Sequence, residues 1–184
     1  MRKLWNILPI TIAVVIVTTI ITVIELKFPN LGVVNVFHAH GGHFGIGTFL
    51  SIFSHESKMH YIINMLWFIP LSSMLELKYG SEKMLFGLFI SGIMTGLSCS
   101  LIIHNSIGLS GVVYLYLFMF CMMFNSYLGY ALTILVATYY LIPEMIDILR
   151  IGVDHVDHLT HFLNGVAGII YGYIVKKKQN LFFL

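Results

Sequence analysis

The sequence predicts an all-α polytopic membrane protein: one domain over residues 1–184 forming a bundle of six transmembrane helices. Three observations carry this. Hydrophobic residues make up 58% of the chain and charged residues only 10%, whereas a soluble domain has roughly a quarter of its residues charged. The apolar residues fall in long runs separated by short polar turns, the pattern of helices that cross a hydrocarbon layer. The basic residues gather on one side of those runs. This composition excludes a soluble protein. A net charge of +2, with no basic soluble face, excludes a nucleic-acid surface.

The first run covers about residues 8–23, behind Arg2 and Lys3. It has no small-residue cleavage site and reads as a retained span rather than a signal peptide. Residues 25–58 form the longest and least apolar connection, with Pro29, several glycines and His38, His40 and His43. A loop of that length in so short a chain reads as a functional or partly inserted element. The second run is about 59–75, and a charged turn follows from Glu76 to Lys83. The third is about 84–103. Residues 104–107 lead into the fourth, about 110–124, and Asn125-Ser126 turns the chain into the fifth, about 127–142. Pro143 to His158 reads as a charged connection. The sixth run, about 159–175, stops at Lys176, Lys177 and Lys178.

Six spans put both termini on one face. With that face cytoplasmic, Arg2, Lys3, Lys78, Lys83, Lys176, Lys177 and Lys178 lie inside and only Lys27, Lys58 and Arg150 outside. Seven against three obeys the positive-inside rule. The long loop, Ser110 and His161 then all lie toward the outer face.

The chemistry centres on Gly108-Leu109-Ser110-Gly111-Val112-Val113-Tyr114. Glycine has no Cβ, so backbone and substrate can approach closely here. A serine at the mouth of a membrane helix lies beside N–H groups that bind a developing oxyanion. Tyr114 is four residues on and shares the Ser110 face. Polar side chains inside a bilayer are costly unless partnered, so the remaining ones mark function. His60 and Asn64 share a face near the outer end of the second span. His161 opens the sixth span on a stripe with Asn164, Gly168 and Gly172, small enough for close approach to a neighbouring helix. If that neighbour is the fourth span, His161 reaches Ser110. A neutral histidine can take the serine proton, and the Ser110 N–H, that of Gly111, the Asn64 amide and the His60 imidazole are the available oxyanion donors. Asp157 reads as the cap of the sixth span, where an acid suits the helix dipole.

On these residues the chain resembles the rhomboid family of intramembrane serine proteases, most closely the bacterial enzymes. Gly108-Leu109-Ser110-Gly111, extended through Val112-Val113-Tyr114, matches the nucleophile motif. His60-Tyr61-Ile62-Ile63-Asn64 matches the histidine-x3-asparagine motif of the second span. His161 followed by Gly168 matches the histidine that opens a glycine-striped last span. Glu76 with Gly80-Ser81 and Lys83 resembles the family's turn after span two. The resemblance covers about residues 47–172. It implies a six-helix bundle around a water-filled cavity open to the outside. It also implies a Ser110–His161 dyad without an acid, oxyanion donors at His60 and Asn64, and Tyr114 stacked on the histidine. Substrates would be membrane-spanning protein helices, the surroundings the lipid bilayer of a bacterial plasma membrane, and no cofactor or metal would be required. The chain departs from the family at Asn164, where a glycine is usual, which bears on the contact between spans four and six. It lacks the first-loop Trp-Arg pair and a soluble N-terminal domain, and the connections after spans four and five look short.

Two other classes compete. An inactive relative would hold membrane helices without cutting them, but both Ser110 and His161 are present. A metal-binding membrane protein would use His38, His40 and His43, or His155, His158 and His161 with Asp154 and Asp157. His155 and His158 read as solvated loop residues, and His55 stands one residue too far from His60 for the zinc-protease helix motif. Cys99 and Cys121, both within apolar runs, read as buried thiols.

Overall fold

The computed structural model describes residues 8–28, 31, 34–101, 105–124, 127–149 and 157–181. Among these, seven α-helices follow in order: α1 (Pro9–Lys27), α2 (Ile46–Leu50), α3 (Lys58–Tyr79), α4 (Ser81–Leu101), α5 (Ser110–Cys121), α6 (Tyr127–Ile148) and α7 (His158–Leu181). Two 3-10 turns, Val34–Phe37 and Ser51–Phe53, lie in the first loop. Three helices are long and apolar enough to cross a membrane: α1, α4 and the part of α6 from Tyr130 to Ile148. The α5 helix is apolar but has only 12 residues, about 18 Å at 1.5 Å each. It spans little more than half of a ~30 Å hydrocarbon core.

The bundle is built around α5. Val112, Leu115, Tyr116, Phe118 and Met119 are fully buried there, with α3, α4, α6 and α7 packed around them. The most extensive helix pair is α5 with α7, and the reason is glycine. A Cβ on Gly168 would lie 2.3 Å from the Leu115 carbonyl oxygen, and one on Gly172 would lie 3.0 Å from Met119 Cα. The backbones therefore touch, as small-residue stripes in membranes allow. Many outward faces carry large apolar groups such as Ile20, Leu66, Leu85 and Ile134, while Thr18, Ser91, Thr95 and Asn164 are buried. That is the distribution expected where lipid, not water, surrounds the bundle.

Local chemistry fixes the helix ends. Pro9 opens α1, where its missing N–H costs nothing. The Glu76 carboxylate accepts from the Ile10 and Thr11 N–H groups, both at 2.9 Å, and from the Thr11 and Ser81 hydroxyls at 2.7 Å. One buried acid thus caps α1 and ties it to the turn between α3 and α4. Ser57 caps α3 by accepting from the His60 N–H. Gly80, at φ +83°, ends α3 and lets α4 start one residue later. At the C-terminal end of α5, Lys78 Nζ donates to the Met123 carbonyl at 2.8 Å and Lys176 Nζ to that of Phe124 at 2.9 Å, where cations suit the helix dipole.

The first loop lies against α4. Phe49 and Phe44 fit over Gly92 and Gly96, where a Cβ would come within 2.3 Å of each ring. Aromatic rings on glycine notches thus seat this loop on α4. Cys99 and Cys121 are buried free thiols, as read from their apolar surroundings.

Helix bounds differ from the apolar runs where helix and hydropathy part company. The α1 helix runs on to Lys27, α3 to Tyr79 and α7 to Leu181, because charged residues continue a helix after the apolar run ends. The α4 helix begins at Ser81, directly after Gly80, and α5 stops at Cys121 rather than 124. The largest difference is α6. Pro143 does not end it, and the helix continues to Ile148. Residues 143–148, read as connection, are helical. Proline is tolerated in a membrane helix when neighbours satisfy the freed carbonyl.

Candidate active site

The predicted site residues come from three helices, α3, α5 and α7, with Gly108 in the loop before α5. The chain from the first loop sets the approach to α5. Ala39 and Ser106 exchange N–H···O bonds of 3.1 and 3.0 Å, and the Gly108 N–H donates to the Ser51 carbonyl at 2.9 Å. Gly108 has φ +115°, and a Cβ there would sit 2.7 Å from the His60 ring. No other residue type fits without moving that ring. Leu109 forms the N-cap, so Ser110 is the first helical residue. The Ser110 and Gly111 N–H groups lie in the first turn, which helix geometry leaves without intrahelical acceptors.

Across the α5–α7 contact, Ser110 Oγ and His161 Nε2 are 2.8 Å apart. The Tyr114 ring lies flat on the imidazole, with centroids 4.5 Å apart and planes 6° from parallel. Asp157 caps α7, accepting from the Thr160 N–H at 2.9 Å and from the Thr160 and Ser98 hydroxyls. Asn164 is fully buried. Its Nδ2 donates to the Thr160 carbonyl at 2.9 Å and would meet a Cβ on Gly111 at 2.9 Å. Thus Gly111 accommodates the residue that replaces a glycine, and the helices stay in contact.

Ser110, Tyr114 and His161 line a cavity of about 440 Å³ together with His60, Asn64, Trp67 and Tyr140. Asn64 is 5% exposed, and its Nδ2 has no hydrogen-bond partner. Buried donors are nearly always paired. The Asn64 amide thus stands in the cavity with hydrogen-bonding capacity unused.

Three further residues surround this site, of which Glu144 was not identified from sequence and His158 and His55 were read there without a role in it. Glu144, from the helical extension of α6, is 7% exposed. It lies 3.0 Å from His161 Nδ1, accepts from the Tyr114 hydroxyl at 2.5 Å and is 2.5 Å from His158 Nδ1. Its signal was an acid directly after Pro143 in an otherwise apolar run, hidden by reading that proline as a helix stop. His158, read as solvated, is instead the first residue of α7, with a side chain 17% exposed. It is positioned by helix α7 and by that same carboxylate. His55 packs beneath the nucleophile loop. It is 2% exposed, with Nδ1 at 3.2 Å from Thr22 Oγ1 and Nε2 at 3.5 Å from the Leu109 N–H. Burial, and then the neighbouring His60, push its imidazole down to about 3, so it stays neutral and can accept from the loop.

Metal-type ligands meet once among the described residues: Glu144, His158 and His161 offer ligand atoms within 4.8 Å of one another. The geometry is equally that of two imidazoles hydrogen-bonded to one carboxylate. His38 and His40 stand apart in the first loop, with ring centroids 6.5 Å from each other. Asp154 and His155 lie outside the described residues.

A family model described as the rhomboid domain matches residues 43–178. The chain belongs to the rhomboid family. No curated protein matches it. Membership and the apolar helices together make it an integral membrane protein. The rhomboid match runs from the first loop into the last turn of α7, so it takes in every residue of the cavity. Rhomboids are generally intramembrane serine proteases that act on transmembrane substrates, though inactive members exist.

Proposed function

We propose that this rhomboid is an active intramembrane serine endopeptidase, a single domain of six spans in a bacterial plasma membrane with both termini cytoplasmic. It cuts transmembrane protein substrates near the outer face. The observation that carries the reading is the 2.8 Å separation of Ser110 Oγ and His161 Nε2 inside a cavity that also holds His60 and the orphan Asn64 amide. An inactive helix binder has no need of that alignment.

The steps follow from the atoms. Ser110 Oγ attacks the scissile carbonyl carbon while its proton passes to His161 Nε2. The carbonyl oxygen becomes an oxyanion, met by the Ser110 and Gly111 N–H groups, Asn64 Nδ2 and the His60 ring. Collapse breaks the C–N bond, and His161 returns the proton to the leaving amine. Water, deprotonated by His161, then attacks the acyl ester, releasing the carboxylate product and Ser110. Ile63 and Trp67 of α3 and Tyr140 of α6 give the cavity its apolar wall, suited to a substrate helix arriving from lipid.

The test is covalent labelling of the detergent-purified protein with a fluorescent fluorophosphonate. The parent labels, and Ser110→Ala and His161→Ala do not. A folded parent that stays unlabelled favours the inactive helix binder. Labelling kept in His161→Ala removes His161 as the base.

A further inference from the structure

We propose that Glu144 is the positioning residue of His161, so that this rhomboid works through a Ser110–His161–Glu144 chain assembled from α5, α7 and α6. The proposal rests on the serine-hydrolase reading above and adds an acid that the family resemblance does not supply. A carboxylate only accepts hydrogen bonds. Glu144 Oε1, 3.0 Å from His161 Nδ1, therefore draws the ring proton to Nδ1 and leaves Nε2 to accept from Ser110 Oγ at 2.8 Å. A histidine held by stacking alone has its ring plane fixed but not its tautomer. Tyr114 fixes the plane, and its hydroxyl also donates to Glu144 at 2.5 Å.

The carboxylate is itself held. Oε1 takes Tyr114 and His161, and Oε2 takes His158 Nδ1 at 2.5 Å. Three donors from two helices clamp it at 7% exposure, so its negative charge is poorly screened. When His161 receives the serine proton, that charge stabilises the imidazolium, the role a buried acid plays in serine hydrolases. The groups facing this pair are Tyr114 and Ser110 from α5, Tyr140 from α6, His158 from α7, and Glu56, His60 and Asp157 across the same cavity.

The experiment measures fluorophosphonate labelling rate against pH for the full-length parent, Glu144→Gln and Glu144→Asp, with Ser110→Ala as blank. Glu144→Gln keeps the shape but loses the charge. Its rate is expected to fall about 100-fold or more at every pH tested. Glu144→Asp recovers part of the rate. A Glu144→Gln rate within about threefold of the parent overturns the proposal and leaves Glu144 as a packing clamp. The parent itself supplies a measurement that no misfolded variant can spoil. With 15N-labelled histidine, and His161 assigned by its loss in His161→Ala, the resting ring carries its proton on Nδ1. A proton on Nε2 overturns the proposal. If the parent labels no better than Ser110→Ala, the hydrolase reading fails and Glu144 falls with it. If the parent labels and only the Glu144 results fail, the hydrolase reading stands. Labelling abolished by a chelator would make Glu144, His158 and His161 a metal site and overturn the positioning role.

Discussion

At the scale of single residues, Asn64 presents a testable conflict between stability and function. A buried amide with no partner costs about 1–3 kcal/mol of desolvation, and Asn64 Nδ2 is such a group. Asn64→Leu keeps the approximate shape and removes the orphan donor. Turnover of a transmembrane substrate is expected to fall on the order of 100-fold, while the unfolding midpoint holds or rises. Thermal unfolding and turnover on the same samples check both, and a variant that unfolds earlier would make Asn64 a structural residue. That Ser110 shares a face with Tyr114, and His60 with Asn64, was legible in the sequence because each pair is four residues apart, a spacing that holds in any α-helix, and His161 was drawn in by its glycine stripe. Glu144 and His158 were not legible in this way. Their meeting depends on how far α6 continues beyond Pro143 and how α7 begins, and neither leaves a periodic trace.

At the scale of helices, the site is only as accurate as the α5–α7 contact. Gly168 touches the Leu115 carbonyl, where a Cβ would lie at 2.3 Å. Backbone cannot swing aside as a side chain can. Gly168→Ala must therefore push α7 off α5 and carry His161 from Ser110. Overpacking of this kind costs about 1–3 kcal/mol, which lowers the unfolding midpoint by on the order of 5 °C in a chain of this size. Fluorophosphonate labelling should slow in parallel. Gly45→Ala is the control, since a Cβ there meets nothing within 4 Å, and it should change neither reading. Equal behaviour of the two variants would show that the helices have slack. The glycine stripe was visible in the sequence, but its partner was not, because a stripe names a face and not the helix that covers it. The α6 extension was missed for the opposite reason: proline is a strong stop in water and a weaker one where neighbouring helices satisfy the freed backbone.

At the scale of the whole molecule, the short α5 helix sets which face the chemistry opens to. Its N-terminal end carries Ser110. Just past its C-terminal end, the Met123 and Phe124 carbonyls are held by Lys78 and Lys176, two of the residues assigned to the cytoplasmic side by counting charge. Side-chain contacts and the positive-inside rule, which are independent, therefore agree that Ser110 lies away from the basic face. A helix of 12 residues cannot cross the full hydrocarbon layer. With one end tied to the basic face, the other stops within the membrane, and under the proposed orientation the cavity above it opens to the outside. Single cysteines placed on a background lacking Cys99 and Cys121 test this. Lys58→Cys, at the start of α3, should react with an impermeant maleimide in intact cells. Glu82→Cys, in the first turn of α4, should react only once the cells are permeabilised, because 22 residues of α3 separate the two ends. The reverse pattern would put Ser110 toward the cytoplasm, and with it the end of the substrate helix at which cleavage falls.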